Sequence, residues 1–199
     1  MTQYYYSLGL APKALEFISD TNDFLVTAKV KGDDCINPKY LQQPQKLCET
    51  LASLLRELHS MDYSDCPIKN HTQIFLDSAK KNYLEGLCDK DILKQLNLNN
   101  PDEAWDIIDS QKHLLRNEVL LHGDYCLPNV ILDDWKLSGF IDLGNGGVGD
   151  RHVDIFWGIY TLFFNLKTHK YAKRFIDAYG KELVDCEKLR LIAAIEIFG

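Results

Sequence analysis

The apolar residues of this chain change their period several times, and each change marks an element. Residues 14–18 are apolar-rich, Thr21-Asn22-Asp23 is a turn, and residues 24–30 suit a strand, so residues 3–35 read as two strands around a turn. From residue 38 to 62 the period lengthens. Leu47, Leu51, Leu54, Leu55 and Leu58 recur at i, i+4, i+7, i+8 and i+11, which predicts one core helix. His59 at its end reads as a polar residue favoured by the helix dipole. Asp65-Cys66-Pro67 breaks the chain, and helices are predicted over 72–86 and 89–96. Pro101-Asp102-Glu103 opens another, running to about residue 115, with Pro in the first turn and acids at the positive dipole end. Short strands follow over 118–121, 129–132 and 137–141, the last two joined by Asp133-Asp134-Trp135-Lys136. Residues 153–164 are apolar almost all round, the pattern of a buried helix, and 171–179 and 187–198 complete a helical C-terminal part.

Polar residues punctuate residues 119–154 in an order that carries chemistry. His122-Gly123-Asp124 closes one apolar run, Asn129 stands across a short loop, and Asp142-Leu143-Gly144 closes another run. Phosphoryl transfer needs a carboxylate near the attacking hydroxyl and oxygen ligands for magnesium. The kinase catalytic loop supplies an Asp and an Asn separated by four residues, then a second Asp just before a Gly. Asp124 and Asn129 have that separation. Magnesium takes oxygen ligands and keeps some water, so Asn129 and Asp142 leave room for nucleotide oxygens. Asp124 is the candidate catalytic base. His122, Asp150 and Asp154 are expected to support the loop structurally, the two acids by bonding its backbone amides. The alternative is two strand ends capped by polar turn residues; both halves in this order speak against it. Gly144, Gly146, Gly147 and Gly149 lack P-loop spacing and fit a tight turn, and Cys126 fits a packed side chain.

Composition narrows the partners. With 199 residues and 46% hydrophobic content the chain can bury a sizeable core. A formal net charge of −7 argues against nucleic acid or an anionic membrane as partner and favours a cationic ligand. Six scattered cysteines without C-x-x-C suggest neither a zinc site nor a disulfide framework, and are expected as reduced thiols in a cytoplasm. No signal peptide is read at the N-terminus, and no apolar run approaches the roughly 18 residues of a membrane span.

H-G-D-Y-C-L-P-N followed by F-I-D-L-G-N-G-G-V-G-D-R-H-V-D closely resembles the aminoglycoside 3′-O-phosphotransferases, over nearly the whole chain, with Cys-Leu-Pro pointing to this branch. The resemblance implies an α+β, protein-kinase-like fold: a mostly helical C-terminal lobe over 36–199 and a remnant of the N-terminal lobe's hairpin and hinge over 1–35. It implies ATP and Mg2+ as cofactors, Asp124 as base, and Asn129 and Asp142 as metal ligands. Backbone near Ala28 to Val30 would bind the adenine edge; from spacing alone this is an ordinary hairpin. An acceptor-binding insert falls near 72–115. There Asp89 and Asp91 are candidates to pair with ammonium groups of an aminoglycoside such as kanamycin or neomycin, or they simply complement a helix start. Glu196 is a third candidate, or an exposed helix residue. Asn145, Tyr160 and Thr161 differ from the residues many relatives carry, which leaves the preferred antibiotic open.

One departure bears on activity. The resembling kinases have a glycine-rich loop, a phosphate lysine and a paired helix Glu before this hairpin, whereas residues 1–35 contain no G-x-G-x-x-G and only Lys13 and Lys29 before Lys31. The chain is therefore expected to begin partway through the small lobe, with apolar surface that favours aggregation or dimers. The leading function is ATP-dependent aminoglycoside 3′-O-phosphorylation. The alternatives are a truncated, inert or weakly binding product, and a kinase of another small hydroxyl compound.

Overall fold

Proline and leucine spacing lay out the helices that support the rest. A computed structural model describes all 199 residues. The predicted helix over 38–62 is two: α2 (Pro38–Leu41) and α3 (Pro44–His59). Pro44 disfavours a helical conformation at Gln43, whose φ is −121° and ψ 60°, and Pro itself suits the first helical position. Asn37 caps α2 by accepting from the Lys39 amide. In α3 the predicted face is buried at Leu47, Leu51, Leu55 and Leu58. Each such side chain contributes about 1.5–3 kcal/mol when fully buried.

The N-terminal region departs from expectation. Residues 3–7 are not strand, for the chain opens with helix α1 (Thr2–Ser7). Tertiary docking overrides the β-propensity of its three tyrosines: Tyr5 is fully buried and its hydroxyl donates to the Leu121 carbonyl. The hairpin follows as β1 (Ala14–Ser19) and β2 (Asp23–Thr27), antiparallel, with Phe17 opposite Leu25 and Ile18 opposite Phe24.

The insert contains α4 (His71–Leu84), α5 (Lys90–Gln95) and α6 (Pro101–Gln111). Two small sheets then frame the chemistry. In one, β3 (Asp33–Asp34), β5 (Val130–Asp133) and β6 (Lys136–Phe140) lie in the order β3-β5-β6, all antiparallel. In the other, β4 (Val119–Leu121) pairs with β7 (Gly147–Gly149). Asp134 and Trp135 both have positive φ, 49° and 67°, as a two-residue hairpin turn of matching twist requires.

The chain ends in α7 (His152–Leu166), α8 (Ala172–Tyr179) and α9 (Cys186–Glu196). Leu47, Leu51 and Leu55 of α3, Ile155 and Leu162 of α7, and Phe175 of α8 join one core cluster of 23 buried residues. A second cluster of 14 ties the insert, through Ile108, to Ile192 and Phe198. The α7 helix is not buried all round. Its Ile155, Gly158 and Leu162 face inward, while Trp157 and Tyr160 are half-buried and Phe164 is exposed. No helix is long and apolar enough to cross a membrane.

Candidate active site

The loop from β4 to β5 is anchored before it is reactive. At its start the chain must bend sharply: Gly123 has φ +86°, and a Cβ there would collide with the Asn145 carbonyl. Asp154, fully buried on α7, accepts from the amides of His122 at 2.7 Å and Gly123 at 2.8 Å. His59 Nε2 donates to the same carboxylate at 3.1 Å, and the Tyr179 hydroxyl donates to His59 Nδ1 at 2.8 Å. Burial alone would raise the Asp154 pKa, but His59 and the Gly123 amide hold it below the ordinary carboxylate value. Farther along, Thr161 Oγ1 accepts from the Leu127 amide at 3.1 Å, and the Tyr125 hydroxyl donates to the Leu51 carbonyl at 2.9 Å. His59 is therefore part of the support beneath the loop, not a polar helix end.

Within this frame Asn129 Nδ2 donates to the Asp124 carboxylate at 2.9 Å and to its backbone carbonyl at 3.0 Å. The amide nitrogen is thus spent on Asp124, and Oδ1 is the atom of Asn129 left for a cation. Asp142 lies across the sheet. The Ile141 amide donates to the Asn129 carbonyl at 3.0 Å, and Val130 pairs with Phe140. Asp142 is exposed, has φ +56°, and its carboxylate has no protein partner. A carboxylate and an amide oxygen are hard donors that fit Mg2+ as a partial ligand set. His122 is fully buried, accepts from the Asp124 amide at 3.3 Å, and is held below its ordinary pKa chiefly by burial, which keeps it neutral.

Two clefts lie nearby; Asp124 lines one of them, and neither Asn129 nor Asp142 lines either. One, of about 610 Å3, is lined by Ala28, Val30, Ile131 and Ile141 with Asp33 and Asp34 at its rim. The other, of about 420 Å3, is lined by Asp124, Asn145, His71, Trp157 and Glu196. Glu196 is buried, not exposed, and accepts from Trp157 Nε1 at 2.8 Å. Burial pushes its pKa up to about 8; the Trp157 bond opposes this and the nearby Asp124 charge adds to it.

Not every expected residue comes to this edge. Asp89 caps α5, accepting from the Asp91 and Ile92 amides, and neither Asp89 nor Asp91 lines the second cleft. Asp150 does not bond the catalytic loop. It accepts from the Arg116 amide at 3.0 Å, from the amide and ring of His152, and from Lys188 Nζ at 2.9 Å, so it fixes the approach to β4 and the start of α7. Burial would raise its pKa, but His152 and Lys188 hold it well below the carboxylate range. Sequence reasoning missed the roles of His59, His71 and Trp157, and marked Thr161 only as a departure from relatives. All lie on helices outside the catalytic loop, and only helical pattern announced them.

Comparison with known proteins fits this geometry. Residues 5–192 match the sequence profile of the phosphotransferase enzyme family. A probable aminoglycoside 3′-phosphotransferase of Lactococcus lactis subsp. lactis is 44% identical over 200 residues, spanning 100% of this chain and 76% of that protein. An aminoglycoside 3′-phosphotransferase of Niallia circulans is 32% identical over 88% of this chain and 67% of its own length. An aminoglycoside phosphotransferase from Streptomyces rimosus, also solved with ADP and streptomycin, superposes with a TM-score of 0.81 at 20% identity, covering 99% of this chain and 78% of that one. The fold is that of the kinase-like aminoglycoside phosphotransferases, α+β with small sheets, and the chain belongs to the phosphotransferase enzyme family.

Proposed function

We propose that this member of the phosphotransferase enzyme family transfers the γ-phosphoryl group of ATP to the 3′-hydroxyl of an aminoglycoside such as kanamycin or neomycin. The observation that carries the reading is the position of Asp124. It lines the 420 Å3 cleft while its carboxylate is tied to Asn129, the residue that leads into the strand beside the other cleft. One carboxylate thus lines a cleft that could take an acceptor and is bonded to one candidate metal ligand, Asn129.

The roles follow from chemistry. Backbone at Ala28 to Val30, with Val30, Ile131 and Ile141 as apolar walls, would take the adenine edge and face of ATP. Asn129 Oδ1 and Asp142 would hold Mg2+, which when bound neutralises charge on the transferred phosphate. Asp124 orients the acceptor hydroxyl and takes its proton late, since a loose transition state asks little of a base. Asp154 and His59 keep the loop in place, because catalysis of this kind is nearly all positioning and electrostatics. Net charge −7 favours a polycationic acceptor, and Glu196, protonated below about pH 8, would ionise beside a bound ammonium group. The product would carry about 1.5 to 2 added negative charges, which weakens its hold on ribosomal RNA.

The test is ADP production by the purified 199-residue chain with magnesium-ATP and kanamycin or neomycin, beside Asp124→Ala. Turnover is expected and should fall by roughly 100- to 10,000-fold in the variant. A folded protein without turnover would leave a chain that carries the acceptor site but does not transfer phosphate. Preference for a non-antibiotic alcohol would replace the acceptor class.

A further inference from the structure

The start of α7 grips β4 at both ends. At the entry, Glu118 accepts from Arg151 Nε at 2.7 Å; at the exit, Asp154 accepts from the His122 and Gly123 amides. Tyr179, at the end of α8, and His59, at the end of α3, join the two grips. Arg151 Nη1 approaches the Tyr179 hydroxyl at 3.5 Å, that hydroxyl meets His59 Nδ1 at 2.8 Å, and His59 Nε2 meets Asp154 at 3.1 Å. Glu118, Arg151, Tyr179, His59, Asp154 and His122 thus form one circuit that starts and ends on the flanks of β4. Arg56 Nη1 pins the end of α8 by donating to the Tyr179 carbonyl at 2.5 Å.

An inventory of donors gives the circuit a direction. Tyr179 is fully buried and so, within 2%, are the side chains of His59 and Asp154. The partners of the Tyr179 hydroxyl are Arg151 and His59 Nδ1, and a guanidinium donates without accepting. The hydroxyl proton therefore goes to Nδ1, and the ring proton of His59 sits on Nε2, facing Asp154. The opposite tautomer would turn a lone pair onto a carboxylate in a dry interior, where an unmade hydrogen bond is most costly. Asp154 Oδ2 takes both the His59 proton and the His122 amide proton, and Oδ1 takes that of Gly123, the residue directly before Asp124. A shift of that carboxylate would pass along the backbone to Asp124.

We propose that Arg151 and Tyr179 are positioning residues of the transfer reaction. They fix the ring proton of His59 on the nitrogen that faces Asp154, and so hold the amides that place Asp124. This rests on the reading of Asp124 as the catalytic carboxylate. It assigns work to two side chains that touch neither cleft-bound substrate nor metal.

Two readouts on the full chain test it. Two-bond 1H–15N correlation spectra near neutral pH should show His59 with its proton on Nε2. Tyr179→Phe keeps an aromatic ring against His59 and removes only the donor. The ring proton should then be shared with Nδ1, and kcat should fall by about 10- to 100-fold with KM for ATP and kanamycin unchanged, the pattern of a misplaced catalytic group. Arg151→Met should lower kcat in the same direction by less, and Arg151→Lys, still a cation that only donates, should restore the Nε2 tautomer and most of kcat. A proton on Nδ1 in the unaltered chain would overturn the proposal without any variant. So would full kcat in Tyr179→Phe, or a loss of kcat with the His59 tautomer unchanged, which would make both residues packing alone; each leaves the Asp124 reading intact. No turnover by the unaltered chain, with His59 still protonated on Nε2, would remove the reading of Asp124 and the positioning role with it.

Discussion

The catalytic edge and the β1–β2 hairpin are made of similar material and end in opposite states. Both are short antiparallel strands rich in Val, Leu, Ile and Phe. Every residue of β4 and β7 is buried, and so are three of the four residues of β5, whereas none of the eleven residues of β1 and β2 is. Phe17 is 64% exposed. The difference lies in what covers them. Helices α3 and α7 lie against β4 and the loop after it; Asp154 and Thr161 bond its backbone, and His59, itself bonded to Tyr179, braces Asp154 from behind. The hairpin's ladder is with itself. Strand pattern therefore reports pairing, and burial is decided by neighbours far along the chain.

The comparison breaks most visibly at Asp154. Asp154→Ala would leave the His122 and Gly123 amides and His59 without their common acceptor in a dry interior. Removing one partner from such a buried network costs about 3–5 kcal/mol. Chemical denaturation should register that loss, and Asp154→Asn should lose less because it keeps one acceptor oxygen. A loss under about 1 kcal/mol would mean the loop is held by its neighbours and not from beneath. The same carboxylate sets an acid limit. Its folded pKa lies below the ordinary value, so its contribution is present above about pH 4 and fades as pH falls through the depressed folded value.

The two regions were also unequally legible. Asp124, Asn129 and Asp142 declare themselves because their geometry is local: a fixed spacing across one turn, and a hairpin with a recognisable turn sequence. The hairpin too was readable as strands, and its partner strands lie within a few residues of each other. What escaped was contact between distant segments. His59 reaches Asp154 across 95 residues, and periodicity could register only that it sits at a helix end. Asp150 and Asp154 stand four apart with one chemistry, yet Asp150 turns to Arg116, His152 and Lys188 and away from the loop. Glu196 hides in the apolar run of α9, where period alone cannot separate a buried carboxylate from an exposed one. The split at Pro44 was visible in the sequence, and the continuous leucine stripe masked it.

Glu196 gives a middle-sized effect that tests how dry the acceptor side is. Its folded pKa of about 8 exceeds its ordinary value of 4.5, so the protein retains a proton the unfolded chain has lost between those pH values. Stability should therefore decline as pH rises from about 4.5 towards 8, and Glu196→Gln should flatten that slope. Binding of a polycation favours the carboxylate, so acceptor affinity should strengthen as pH rises through about 8 and protons should be released on binding in weakly buffered titrations. No pH dependence would mean that Glu196 is solvated in practice and that the acceptor edge resembles the hairpin more than the catalytic loop.

The smallest effect on stability should come from the hairpin itself. Leu15, Phe17, Ile18, Phe24, Leu25 and Val26 are all exposed, on both faces of a two-stranded ladder. A side chain already in water loses little burial when it becomes polar, so Phe17→Ser and Leu25→Ser should each change folding stability by no more than about 0.5 kcal/mol. Association should respond instead. Unpaired strand edges carrying apolar side chains are a template for another chain, and a lone two-stranded hairpin gains stability from added strands. Sedimentation velocity across a concentration series should therefore show larger species for the unaltered protein and fewer for the double variant. Destabilisation by more than about 1 kcal/mol with unchanged association would place Phe17 and Leu25 in a packed interior, and the contrast between the two strand regions would dissolve.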